Sequence, residues 1–98
     1  MKVARLGDRT QGTCSCHLVP INVGGSITTA SPDVFANGIA VARIGDTVLA
    51  DCGHTGTIVS ASPDVYANVK KIARVGDQTE GCYVAVIIAG SPNVYAND

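Results

Sequence analysis

VARLGD at Val3–Asp8, VARIGD at Val41–Asp46 and IARVGD at Ile72–Asp77 are one phrase written three times. A second phrase recurs with it: SPDVFAN from Ser31, SPDVYAN from Ser62 and SPNVYAN from Ser91. From Ser31 to Asp46 and from Ser62 to Asp77 the interval is 15 residues in both cases, so the structure joining the phrases admits no insertion. A unit this small cannot bury its own apolar face, but three of them packed around a common axis can. The repeats therefore predict a single pseudo-threefold domain over residues 1–98.

The residue types in each phrase say what the unit is made of. Ser-Pro-Asp and Ser-Pro-Asn suit a β-turn, with Pro presetting φ and the polar side chains bonding the local backbone. VFAN and VYAN read as short strands, Asn37-Gly38 as a two-residue hairpin turn, and AVAR and KIAR as return strands that stop at Gly-Asp. Pro and Gly recur too often for long helices, so about ten short strands and an all-β fold are expected. The 98 residues are 46% hydrophobic but only 4% aromatic, with 11 Gly and no Trp, which suits many thin strands of Val, Ile and Ala.

Charge narrows the function classes. The net charge is -1 and the basic residues are scattered, which argues against a nucleic-acid surface and against binding to anionic membranes. No apolar run approaches the length of a membrane span, and MKVARLGDR lacks the apolar segment of a signal peptide, so synthesis in the cytoplasm is expected. The four cysteines, Cys14, Cys16, Cys52 and Cys82, would then favour metal or free thiols over disulfides. Two disulfides would allow three connectivities, with Cys14 and Cys16 too close to pair with each other.

The connectors from each Asp to the next Ser shrink along the chain, and every Cys and His lies in one of them. Cys14 and Cys52 each stand six residues past their Asp and Cys82 stands five past, with His17 and His54 nearby. Threefold packing would bring these loops together. Cys14, His17, Cys52, His54 and Cys82 are the candidate metal ligands, because a closed structural zinc site needs four N or S donors. One ion held by several loops would add its binding free energy to the folding of a small core. Taken singly, each Cys reads equally as a small buried hydrophobe and each His as a solvated or hydrogen-bonded residue. For catalysis the connectors offer only Asp51 and Glu80 as carboxylates, and no P-loop follows NVGGSI at Asn22–Ile27. Arg5, Arg43 and Arg74 either pair with the repeat carboxylates or end their strands in solvent.

With these elements in place the chain resembles a PAAR-repeat protein. The resemblance rests on the thrice-repeated Val/Ile-Ala-Arg-x-Gly-Asp, the preceding Ser-Pro-Asp/Asn-Val-x-x-Asn and the Cys/His loops. Ala40 and Lys71 stand where the family motif has Pro. The resemblance implies a cone of short β-hairpins with zinc near its apex, iron being the alternative, and no enzymatic activity. It also implies a broad base docked as a monomer on a trimeric spike protein, VgrG of type VI secretion or the central tail spike of a contractile phage. Such a tip punctures a target membrane mechanically and ends at the virion tail tip or outside the cell. His17, His54 and Cys82 best match the family's metal positions, Cys52 or Cys14 supplies the fourth, and Cys16 matches least. The span 1–98 reads as a bare tip carrying no toxin domain. A small zinc hydrolase or a nucleic-acid adaptor is the alternative function.

Overall fold

Along Tyr83–Ile87 buried and exposed side chains alternate without a break, and along Thr55–Ile58 they do the same. That period of two puts one row of side chains inside and the other in solvent. In the computed structural model, which describes residues 2–63, 65–91 and 94–95, the chain is all-β, with no helix among these residues. Its strands in chain order are β1 (Arg9–Cys14), β2 (Ile21–Ile27), β3 (Phe35–Ala36), β4 (Ile39–Ala40) and β5 (Thr47–Ala50). They continue with β6 (Thr55–Ile58), β7 (Tyr66–Ala67), β8 (Lys70–Lys71), β9 (Thr79–Gly81) and β10 (Tyr83–Ile87).

Two hairpins, β1–β2 and β5–β6, with β10 and β9 at the two edges, form one antiparallel sheet of order β10-β1-β2-β5-β6-β9. A bridge between Gln78 and Val86 nearly closes it on itself. At this seam the Thr79 hydroxyl does part of the ladder's work, donating to the Tyr83 carbonyl (2.8 Å) and accepting from Ala85 N (2.9 Å). The body is elongated, 38 × 22 × 21 Å.

The phrase Val/Ile-Ala-Arg-x-Gly-Asp builds the end opposite the hairpin connections. Ala4 N donates to the Ala73 carbonyl, Ala73 N to that of Ala42, and Ala42 N to that of Ala4, at 2.9 to 3.0 Å. The three alanines are fully buried, so a ring of backbone hydrogen bonds encircles the pseudo-threefold axis. Each Arg-x-Gly-Asp then turns tightly. The Asp N–H returns to the Arg carbonyl at 3.0 Å in all three units, and Gly7, Gly45 and Gly76 take φ of 84°, 89° and 95°. That left-handed third position marks a type II turn and favours Gly. Each Asp carboxylate accepts from the Arg backbone N–H (2.7–2.8 Å) and pairs with its guanidinium (2.9–3.3 Å). Of the two readings of these arginines, pairing is the observed one.

The second phrase forms small outer hairpins. Asn37 and Gly38 have φ of 54° and 76°, the two positive values of the expected type I′ turn between β3 and β4. Asn68 and Val69, with φ of 56° and 70°, repeat it between β7 and β8. The serines are buried and accept from the backbone N–H three residues on, Ser31 from Val34 (3.0 Å) and Ser62 from Val65 (3.3 Å). Ser31 also bonds Asn68 Oδ1, and Ser91 bonds Asn37 Oδ1, so Ser and Asn of the phrase tie neighbouring units together. In the third unit Lys2 pairs with Tyr95 as Ala40 pairs with Phe35 and Lys71 with Tyr66. Residues near the two ends of the chain thus make one unit between them. The rest of the strand expected from SPNVYAN, Pro92, Asn93 and residues 96–98, lies outside the described residues.

Candidate metal centre

The three hairpin connections meet at the opposite end of the sheet. Cys14 closes β1 opposite Ile21 and Tyr83, Leu49 pairs with Thr55, and Gly56 pairs with Gly81. Alternation decides what points inward there. Thr10 is buried on β1, so Cys14, four residues on, is buried too. Val48 and Ala50 are buried on β5, which carries Cys52 into the same row. The chain then turns at Gly53 (φ 93°), with Gly53 N bonded to the Ala50 carbonyl (2.9 Å) and Ala50 N to that of His54 (2.8 Å). His54 enters β6 in phase with buried Gly56 and Ile58.

Four side chains come together as a result. Cys14 Sγ lies 3.1 Å from His54 Nδ1 and Cys52 Sγ 3.8 Å from the same atom. The His17 ring, from the β1–β2 connection, meets that of His54 edge to face with centroids 4.8 Å apart. One donor atom from each of Cys14, His17, Cys52 and His54 lies within 4.8 Å of the others. His17 Nε2 is shielded from solvent with no hydrogen-bond partner. An orphaned imidazole nitrogen beside two thiols and a second imidazole fits a cation that takes N and S donors, and two Cys with two His are a usual zinc set. Burial pushes the Cys14 thiol pKa up; the Cys16 backbone N–H opposes this and the adjacent Cys52 thiol reinforces it. A bound cation reverses that preference, so loading releases protons and weakens as pH falls.

Cys82, counted among the ligand candidates, lies outside this group because it forms a disulfide with Cys16, the Cα atoms 5.1 Å apart. This also corrects the expectation that three equivalent thiols would converge and that disulfides would be disfavoured. The reason is again alternation. Tyr83 is fully buried at the start of β10, and Cys82, the one residue between β9 and β10, faces the other way, toward Cys16. Standing five rather than six residues past its Asp is the one-residue difference that turns the side chain over.

Asp51 turns outward and pairs with Arg9 (2.8 Å), which also donates to Ser26 Oγ (2.7 Å). Hydrogen bonding from Arg9 holds the Asp51 carboxyl below its ordinary pKa. The metal group contains no carboxylate, and among the described residues no pocket is found.

A search of curated proteins returned no match. The PAAR-motif family model matches in two overlapping placements, residues 19–80 and 50–98, each spanning two of the units described above. Together they cover residues 19–98, which hold the second and third Arg-x-Gly-Asp turns and the β5–β6 and β9–β10 connections, and this chain belongs to the PAAR-motif family.

Proposed function

We propose that this protein is a metal-stabilised tip that caps the trimeric central spike of a contractile injection machine. The PAAR motif indicates a spike-tip function in such systems, and proteins that carry it are structural rather than enzymatic. The observation that carries the finer reading is the ring of Ala4, Ala42 and Ala73, which gives a single chain an internal threefold axis. A trimer ending in β-structure presents the same symmetry to it. Phe35, Tyr66 and Tyr95, at equivalent places on the outer hairpins, are all exposed and give that end three aromatic contacts. At the other end Cys14, His17, Cys52 and His54 hold zinc, with iron the alternative among cations. Four side-chain donors make the closed set of a structural site, which supports a tip rather than a hydrolase. The ion ties the β1–β2 connection to the β5–β6 connection, so the end that meets a target membrane resists local unfolding. The chain is made in the cytoplasm and leaves it with the machine.

The experiment is elemental analysis of the purified chain together with co-purification on the C-terminal β-helix of a VgrG-type or phage-spike trimer. One equivalent of zinc and capture of one chain per trimer are expected. His54→Ala is expected to lose the metal and at least about 3 kcal/mol of stability, with Lys70→Ala near neutral. Absence of stoichiometric metal sinks the metal half of the reading, and failure of capture by both kinds of trimer sinks the docking half.

A further inference from the structure

The β1–β2 connection, residues 15–20, is six residues long, against four between β5 and β6 and one between β9 and β10. Packing does not hold it: Leu18 is 103% exposed and Val19 69%. Three of its anchors converge on Cys82. Ser15 N donates to the Cys82 carbonyl (2.8 Å), Ser15 Oγ donates to the same oxygen (3.4 Å), and Cys16 is bonded to Cys82 through sulfur. His17 is the next residue, and its ring reaches the other three donors from this otherwise loosely held loop. The disulfide is therefore the covalent tether nearest to a side chain on which the closure of the cluster depends.

We propose that Cys16 and Cys82 are a redox-responsive clasp that sets His17 in the metal cluster. With the clasp closed, four side chains hold the cation; with it open, Cys14, Cys52 and His54 retain it and His17 exchanges with solvent. This rests on the reading of the cluster as a metal site. The chemistry is thiol–disulfide exchange with a low-molecular-weight disulfide of the glutathione type. The exposed Cys16, as thiolate, attacks one sulfur of the small disulfide and expels one small thiolate, leaving a mixed disulfide. Cys82, as thiolate, attacks the Cys16 sulfur and expels the second small thiolate. Two protein thiols are oxidised, one small disulfide is reduced to two thiols, and the two protons released from Cys16 and Cys82 balance those the products take up. Cys16 is exposed whereas Cys14 is buried and Cys52 half-buried, so Cys16 is the thiol that reacts first. A reducing compartment keeps the clasp open and an oxidising one closes it.

The test compares zinc-loaded oxidised chain, the same chain reduced, and Cys16→Ser, Cys82→Ser and His17→Ala variants. Zinc affinity and zinc release to an excess of chromophoric chelator are measured. The oxidised chain is expected to hold zinc about tenfold to a hundredfold more tightly than the reduced chain or the Ser variants, the range found for groups that orient a metal ligand. Oxidised glutathione added to the reduced, zinc-loaded chain is expected to link Cys16 to Cys82 by peptide mapping and to restore slow release. His17→Ala is expected to release zinc as fast as Cys16→Ser, with no further loss when the two are combined. Stoichiometric zinc held equally in both redox states overturns the clasp and leaves the metal site standing. Absence of stoichiometric zinc in every sample overturns both. The redox pair is one unaltered polypeptide, so the comparison survives any variant that fails to fold.

Discussion

Tyr83 stands four residues before Ile87, as His54 stands four before Ile58 and Val23 four before Ile27. The three isoleucines face the same interior, so the inward place that is a histidine of the candidate metal cluster in the second unit is a phenol in the third and valine in the first. The ring fits because Gly25 faces it: a Cβ there would fall 2.8 Å from Tyr83 Cε2 and 2.7 Å from the Leu49 carbonyl oxygen. Its hydroxyl bonds Thr10 Oγ1 (2.8 Å) and donates to the Val23 carbonyl (3.2 Å). Tyr83→Phe leaves buried Thr10 without that partner and is expected to cost about 1–3 kcal/mol in chemical denaturation. Burial raises the Tyr83 pKa above its ordinary 10.0, so the unfolded chain loses the proton first. Tyr83's contribution is therefore complete below about pH 10 and lost as the pH rises through the folded value. Melting curves across that range should show a smaller decline in Tyr83→Phe than in the parent.

Among the described hairpin turns, the one between β7 and β8 is under strain. Val69 is β-branched, has φ of 70° and is 93% exposed, where the matching turn has Gly38. A left-handed conformation costs such a residue about 1–2 kcal/mol, part of which Gly gives back as greater freedom in the unfolded chain. Val69→Gly is expected to raise stability by about 0.5–1 kcal/mol, a few degrees in melting temperature. A lower melting temperature would mean that the Val69 side chain has a stabilising contact that outweighs the strain. The hairpins were readable in advance because Asn-Gly, Ser-Pro and the alternation of Val with small residues carry their geometry locally. The role of Asn68 was not, because its bond to Ser31 spans 37 residues and joins two units. The loops bearing the candidate ligands were legible from the confinement of Cys and His to the connectors, and the one-residue deficit before Cys82 was visible as well. The partner of Cys82 was not, since it depends on which edge of the sheet faces the β1–β2 connection.

For the molecule as a whole, the alanine ring is the element on which the three units agree. Ala4, Ala42 and Ala73 are fully buried, and three backbones approach one another there with room for a methyl group on each. Ala42→Val adds two methyls at this packed axis and is expected to cost about 1–3 kcal/mol, and more if the ring cannot widen. Ala40→Val, at the half-buried neighbouring position on β4, is expected to change stability by less than about 0.5 kcal/mol. Similar melting temperatures for the two would show that the axis tolerates bulk. Threefold packing was legible from the repeats alone, whereas the closing of the third unit by residues near both ends needed the pairing of Lys2 with Tyr95. That pairing orders events on the ribosome. Val3 bonds Ser91 and Val94, and Ala4 N bonds Ala73, so these two residues lack those partners until the third unit has emerged. The second unit's hairpins, β5–β6 and β7–β8, need only neighbours in the sequence and can form while the chain is still growing, but the axis is completed only once the third unit has been synthesised.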